Sequence, residues 1–594
     1  MRPRAPLPAP VTTPCCTKDP RGESSRRASW PALACCLIAV SMQMVDMTIV
    51  NIALPSLGSG LHASSGEQLL VLSAYTLAFA CFLLTASRLG ERWGRRRLFI
   101  GALAGFTVVS VLCGTATGAT ELIVLRAVQG ACAALASAQT IAIISASFPK
   151  SRHPAVFGIY GATAGVAAML GPTLGGLLIS ADVWGLGWRM IFLVNLPLGL
   201  IACVVGHRCL PALHATTRPG LDLPGVALST TGLFLLVLPL AMGRERGWPT
   251  WHLWMLVGSV VVLCLFIVHQ HRLGRRGGYP LLDLQLFTSR SFAVGSVLSL
   301  LFFGVFAAFF FTVSVTAQFG LGFSPLRTGL LTLPFAIGAA VGSVVSALLV
   351  RRIGALTLTT GAVLFSGSLV YTAVIIDPAA GIEVSSIILP LAVGGVAMGL
   401  FVAPLQATML SDTSERTVGS ASGTIPTVQQ IGASVGMAVI SLLFFAAVVA
   451  QSEQAVQEAQ TSLSHSLGTS EVAPLARPFV VREFGRCATA QLGSAHPDTP
   501  GPGCPGADDA IQPYADGPRS AVAAQAEPDV SAAARQAASH TFLAAFTAVL
   551  WTLAAISVAL AGLTLALRNH RRRQIDRQSA AQSAPTPAIE SGPR

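Results

Sequence analysis

Apolar residues in this chain gather into long unbroken runs, separated by short polar segments rich in Arg, Gly and Pro. Windows of 18 or more apolar residues recur along nearly the whole length, and each can cross a hydrocarbon core of about 30 Å as a helix. Bounded by charges, Gly/Pro clusters and helix stops, the runs predict spans at 32–57, 68–86, 98–117, 121–147, 155–180 and 188–206. Two more follow at 223–242 and 252–270, then six at 292–317, 328–349, 354–376, 385–410, 425–450 and 541–567. The pattern therefore predicts an all-α polytopic membrane protein of fourteen spans, arranged six, two, six. Its parts are a disordered tail (1–30), a first six-helix bundle (31–206), a linker pair (207–270), and a second bundle of five spans (271–450). The long polar loop 451–540, span 14 (541–567) and a basic tail (568–594) complete the chain.

Composition narrows this picture by exclusion. Of 594 residues, 53% are hydrophobic and 11% charged, against about 25% charged in soluble domains. No soluble catalytic domain fits between the spans, no phosphate-binding G-x-x-x-x-G-K-[ST] loop occurs, and nothing reads as an enzyme. The net charge of +12 would point to nucleic acid in a soluble protein. Here the basic residues sit in short loops, where they set topology, so no nucleic-acid partner is expected. With the N-terminus inside, 28 Lys and Arg fall on the cytoplasmic side and 9 outside, which places both termini in the cytoplasm of a cell-membrane protein. Arg244 and Arg246, beside Glu245, are a local exception. The first run is too long to be a cleaved signal peptide.

The loop 451–540 then lies outside; it could be a folded cap, but its Ala-, Ser-, Gly- and Pro-rich composition favours disorder. It holds Cys487 and Cys504, which could pair in an oxidising compartment or stay free. The other spacings of cysteine resemble no metal site, and no metal is expected.

Candidate chemistry begins with VDMTIVNIALP, where one carboxylate, Asp46, interrupts span 1. It lies about 21 Å along the helix, past the midplane. In span 4, LRAVQG places Arg126 about 8 Å deep from the outer side, so the two side chains could meet. An intramembrane arginine is a functional candidate by default, although at that depth it could also snorkel to the interface. Between spans 2 and 3, SRLGERWGRRR carries Ser87, Gly90, Glu91, Arg92, Gly94, Arg95 and Arg96. Gly90 and Gly94 permit a sharp turn, and Glu91 can pair with an arginine or rest on a helix N-terminus as a latch. Span 5 reads GVAAMLGPTLGGLL, with Gly165, Gly171, Pro172, Gly175 and Gly176 for close packing and a kink. The run FFGVFAAFFF (302–311) lines a substrate path or faces lipid, and Gln129, Gln318, Gln406 and Gln430 are candidate polar contacts for substrate.

SRLGERWGRRR resembles the signature loop of the major facilitator superfamily, G-x-x-x-D-R-x-G-R-R, with Glu91 in the acidic position and Ser87 replacing the first glycine. That replacement implies slightly looser helix packing. The second-half counterpart, VRRIG, keeps Arg352 and Gly354 but lacks the acid. LRAVQG resembles the superfamily's fourth-span motif, whose arginine is implicated in proton coupling, and GVAAMLGPTLGGLL resembles its antiporter motif, associated with exporters. VDMTIVNIALP, WRMIFLVNLP, LDLPG, YPLLDLQLF and SPLRTGLLTLP are similar to segments of the fourteen-span drug:proton antiporter family; in span 13, Pro426 and Gln429 depart from it. The resemblance implies the major facilitator fold of two six-helix bundles plus two linker helices. It implies a monomer in the lipid bilayer that exports a lipophilic small molecule, drug or antibiotic, in exchange for protons. No cofactor beyond the coupling protons is implied. Asp46 and Arg126 become the expected proton-coupling pair, Asp46 holding a proton when shielded and releasing it when a cation or water arrives. A purely structural ion pair is the competing reading, as a dedicated exporter of one natural metabolite is for the whole chain.

Overall fold

The computed structural model describes residues 21–582 except 211–219, 244–246, 355, 380, 412, 414–416, 471, 493–503 and 505–517. The expectations for residues 1–20, for Arg244 and Arg246 and for 583–594 lie outside the described residues. Among the described residues, fourteen helical segments are long and apolar enough to cross a membrane, the sixth of them running over Gly187–Cys209 with α6 as its main helix. In chain order they are α1 (Arg21–Leu61), α2 (Ser65–Trp93), α3 (Arg95–Thr115), α4 (Ala119–Ser147), α5 (His153–Ala181) and α6 (Asn195–Cys209). The linker pair is α7 (Leu223–Met242) and α8 (Thr250–Arg275). The second set is α9 (Arg290–Val315), α10 (Pro325–Ile353), α11 (Leu356–Ile375), α12 (Val384–Ser411), α13 (Val418–Thr469) and α14 (Pro518–Gln582). Helix starts carry local signals: Ser64 and Glu67 form a reciprocal capping box on α2, and Asp222, Ser289 and Ser324 cap α7, α9 and α10.

The pairing of helices reveals an internal repeat. In the first bundle α2 packs on α4, α1 on α5 and on α6, and α3 on α4 and on α6. Adding eight to each number gives the pairs of the second bundle: α10 on α12, α9 on α13 and on α14, α11 on α12 and on α14. Spans 7 and 8 have no counterpart and pack chiefly on each other. The two bundles meet along two seams that the same repeat interchanges, α2 against α13 and α5 against α10.

One end of the bundle carries the α2–α3 turn and the start of α13, and is called the gate end below. The opposite end continues into a helical cap, which corrects the expectation that 451–540 is mostly disordered. α13 runs on to Thr469, a further helix covers Arg477–Leu492, and α14 starts at Pro518. Val456, Ala459, Leu463 and Leu467 recur at helical spacing and are buried, and Ala, Gln and Glu between them are strong helix formers. Cys487 and Cys504 are joined by a disulfide in this cap. α1 likewise begins at Arg21, inside the stretch expected to be a disordered tail.

The phenylalanine run of α9 does not face lipid as a whole, since Phe302 and Phe309 are buried. Phe302 stacks on Phe401 with ring centroids 4.5 Å apart, and Phe306, Phe309 and Phe310 gather around Phe335. Phe302, Phe309, Phe335 and Phe401 belong to the buried core, with Phe306 and Phe310 packed against it.

Candidate functional site

Asp46 on α1 is fully buried, 0% exposed, and Arg126 on α4 is 1% exposed. Arg126 Nη1 donates to Asp46 Oδ2 at 2.5 Å and to Gln129 Oε1 at 2.8 Å. The second carboxylate oxygen accepts two further donors, Gln129 Nε2 at 2.9 Å and Asn195 Nδ2 at 3.1 Å. Asn195 also donates to Ser110 Oγ at 3.0 Å, and Ser110 donates to the Phe192 carbonyl at 2.9 Å. The Arg126 guanidinium lies over the Tyr75 ring, 4.4 Å from its centroid. A charge buried in hydrocarbon persists only when paired and hydrogen-bonded. Three donors converging on one carboxylate meet that condition, and the inward guanidinium excludes snorkelling in this conformation.

Neighbouring glycines make the cluster possible. A Cβ at Gly130 would lie 2.2 Å from the Tyr75 carbonyl oxygen, so the R-x-x-Q-G glycine lets α4 approach α2 closely enough for Arg126 to cover Tyr75. A Cβ at Gly171 would lie 1.9 Å from Thr48 Oγ1, and one at Gly175 2.9 Å from Ile49 Cγ1. The span-5 motif thus grips α1 immediately beyond Asp46. A Cβ added at Gly329 of α10, in the opposite bundle, would lie 3.4 Å from Pro172 Cβ. Gly165 and Gly176 have open space where a Cβ would be and take no part in these approaches.

The gate-end loop is a second, separate cluster. Glu91 Oε2 accepts from Arg88 Nη1 at 2.5 Å. Its carboxylate also rests on Gly419, where a Cβ would lie only 1.5 Å from Oε1. Gly419 is in the first turn of α13, where the helix dipole favours an anion. Glu91 therefore meets both an arginine and a helix N-terminus, and the arginine is Arg88. Arg92 is exposed, Arg95 half-buried, and Arg96 donates to the His207 carbonyl at the end of α6.

Two turn-and-packing expectations change here. Only Gly94, at φ 91°, makes the turn; Gly90 is helical, and its missing side chain makes room for Gln139, whose Nε2 donates to the Ala86 carbonyl at 2.8 Å. Nor does Ser87 loosen the packing, because Gly423 of α13 faces it: a Cβ there would lie 2.7 Å from Ser87 Oγ. On the other seam, a Cβ at Gly158 would lie 2.7 Å from the Ser343 carbonyl oxygen of α10. Both seams are closed by near-backbone contact at the gate end.

The four candidate glutamines do not converge. Gln129 is consumed by the Asp46 cluster, and Gln318 donates to Ser314 on its own helix at 2.8 Å. Gln406 is buried near the gate end, its Oε1 without a partner among the described residues, and Gln430 is half-buried on α13. Asn195, Ser110 and Tyr75 were missed as site residues. The available signal for Asn195 was the one that marked Asp46, a lone polar group inside an apolar run, here in LVNLP.

Twelve membrane-length helices in two repeated bundles, with a linker pair between them and a buried ion pair inside the first bundle, define a multi-pass membrane transporter. The chain belongs to the Major Facilitator Superfamily, whose family model matches residues 36–437. A probable actinorhodin transporter of Streptomyces coelicolor is 37% identical over 431 residues, covering 72% of this chain and 75% of its own. The puromycin resistance protein of Streptomyces alboniger is 33% identical, covering 74% and 86%, and the tetracenomycin C resistance and export protein of Streptomyces glaucescens is 30% identical, covering 70% and 76%. These relatives agree with a fourteen-span drug-exporter type. Among solved structures, the human organic anion transporter MFSD10 superposes with a TM-score of 0.50 at 14% identity, over 70% of this chain and 92% of its own, a likeness of fold alone.

Proposed function

We propose that this protein is a proton-coupled antiporter that exports lipophilic antibiotic or drug-like molecules by alternating access, with the gate end and both termini in the cytoplasm. The observation that carries this reading is the Asp46 carboxylate, buried at 0% exposure among Arg126, Gln129 and Asn195. Protonation of Asp46 removes the charge that holds Arg126, leaving the guanidinium with Gln129 and the Tyr75 face. The pair thus has two chemically distinct arrangements, which is what coupling requires. Gly171 and Gly175 grip the Asp46 segment of α1 while α5 packs on α10, so a shift of α1 is passed through α5 to the other bundle. Orientation rests on the excess of Lys and Arg at the gate end and on the disulfide in the cap, which suits an oxidising exterior. Protons are the only coupling species in this reading, and the working unit is one chain.

Three relatives bear the names of single antibiotics, and they favour a second reading, a dedicated exporter of one natural product. A panel of unrelated toxic compounds tested on cells with and without the gene separates the two: broad resistance supports a multidrug pump, narrow resistance a dedicated one. For coupling, Asp46→Asn in inverted vesicles is expected to abolish proton-gradient-driven uptake of a transported dye. Full uptake with unchanged pH dependence would overturn the coupling role of Asp46.

A further inference from the structure

The linker pair α7–α8 lies outside the two-bundle repeat, yet it sits on the seam that closes the gate. Its apolar face packs on both bundles at once. Leu233 of α7, Phe266 of α8 and Leu281 of the α8–α9 loop cluster with Cys81 and Leu84 of α2, and Ile431 of α13 joins them.

A continuous chain of hydrogen bonds ties the same pair to α13, whereas on the α2 side the polar contact is a weak one, the Cys81 thiol donating to the Thr230 carbonyl at 3.6 Å. Asp222, which caps α7 and is mostly buried, accepts from Gln270 Nε2 of α8 at 2.8 Å, and pairs with His269 Nε2 at 2.8 Å. Gly225 of LDLPG must lack a side chain, since a Cβ there would lie 2.5 Å from Gln270 Nε2. Gln270 Oε1 accepts from the Leu282 backbone N–H at 3.3 Å. The flanking backbone then grips Ser420: the Asp283 N–H donates to Ser420 Oγ at 2.9 Å, and Ser420 Oγ donates to the Leu281 carbonyl at 3.3 Å. Gln270 and Ser420 are buried, 1% and 0% exposed. Ser420 is the residue after Gly419, on which Glu91 rests.

We propose that α7–α8 is a strap of the cytoplasmic gate: it is anchored to the first turn of α13 through Asp222, Gln270 and Ser420, and slides on α2 through apolar contact and one weak thiol hydrogen bond. The proposal rests on the alternating-access reading. Its physical basis is that buried hydrogen bonds have one geometry and are costly to break, whereas apolar surface contact tolerates small sliding. Rocking at the α2–α13 seam cannot leave a rigid pair fixed to both helices. The bonded side must travel together, and the apolar side must shear. Gln270 and Ser420 are positioning residues, holding the α13 N-terminus where Glu91 closes on it.

The test uses the full-length protein in lipid nanodiscs, with free cysteines replaced and the Cys487–Cys504 bridge kept. Spin labels at three exposed gate-end positions, Trp93 on α2, Arg275 on α8 and Arg352 on α10, give three distances by pulsed electron resonance across a pH series. The expected result is that the Trp93–Arg352 and Arg275–Trp93 distances change together while Arg275–Arg352 stays single. Ser420→Ala and Gln270→Ala are expected to broaden Arg275–Arg352 and to raise the gate-open population about fivefold, the effect of one lost hydrogen bond. A linker that stays fixed to Trp93 and separates from Arg352 would overturn the strap. A gate distance frozen at every pH counts against rocking itself. The anchor is still decided in that case, because an Arg275–Arg352 distribution unmoved by both substitutions refutes it.

Discussion

Because Asp46 and Arg126 are buried against each other, removing both must cost far less than the sum of the two single removals. At an effective dielectric of about 20, two charges roughly 4 Å apart attract by about 4 kcal/mol, and deleting one partner of a buried pair costs about 3–5 kcal/mol. Arg126→Gln leaves the Asp46 carboxylate with the Gln129 and Asn195 amides still donating, so the lower figure applies, about 3 kcal/mol. Asp46→Asn is worse. Three donors face the site, and an amide offers one acceptor oxygen while turning its own N–H₂ toward one of them, so the cost approaches about 5 kcal/mol. The double variant replaces an ion pair with two amides able to bond each other, and its cost is expected to resemble that of one single variant. The assay is unfolding of the four proteins by SDS titration in mixed micelles at neutral pH, read as a double-mutant cycle. A coupling energy of about 3 kcal/mol or more is expected; additivity within about 0.5 kcal/mol would refute the pair as an energetic unit.

Other outcomes follow from the same geometry. Gly130→Ala must push α4 off Tyr75 and is expected to destabilise by about 3 kcal/mol with loss of transport, whereas Gly165→Ala, with open space around it, leaves thermal stability and efflux unchanged. Equal effects in the two variants would contradict the assigned approaches. Glu91→Gln removes an anion from the α13 N-terminus and is expected to weaken gate closure by about 1 kcal/mol. The readout is faster alkylation of Ser343→Cys, a buried position under the second seam, by an impermeant maleimide applied to the cytoplasmic face; an unchanged rate rejects the latch. Converting Cys487 and Cys504 to serine opens a cross-link between residues 17 apart and is expected to lower cap stability by about 3 kcal/mol, seen as faster proteolysis between α13 and α14. Transport by the remaining bundle is expected to persist, since the disulfide lies outside both seams.

The Asp46–Arg126 pairing was legible because both are charges in apolar runs, and helix rise alone placed them at comparable depth. Glu91 was legible as a latch for a similar reason, an acid among arginines in a glycine-bearing turn. Its true partners were not. Arg88 sits one helical turn before it, while the α13 N-terminus comes from more than 300 residues further along, and only packing selects between that dipole and the nearby arginines. Residues 451–540 were misjudged because bulk composition hid a regular spacing of Val456, Ala459, Leu463 and Leu467. The phenylalanines of α9 carried no information on their direction, since an all-apolar helix has no marked face.

What the sequence determined by itself is what hydrocarbon imposes locally. Each span must satisfy its own backbone as a helix, so length and apolarity fix the number of crossings, and the few charges that remain inside mark the site. What only the tertiary structure decided is which small residues meet which backbones, and therefore which charges and amides meet. Gly130 against Tyr75, Gly171 against Thr48 and Gly423 against Ser87 are encounters between distant segments. No local pattern encodes them, because in a membrane such contacts arise from close van der Waals fit between helices that are all equally apolar. The same holds for Asn195, a lone amide in an apolar run, and for Ser420, one hydroxyl among several in VGSASGT: neither has an assigned partner until the fold brings it to Asp46 or to the linker loop.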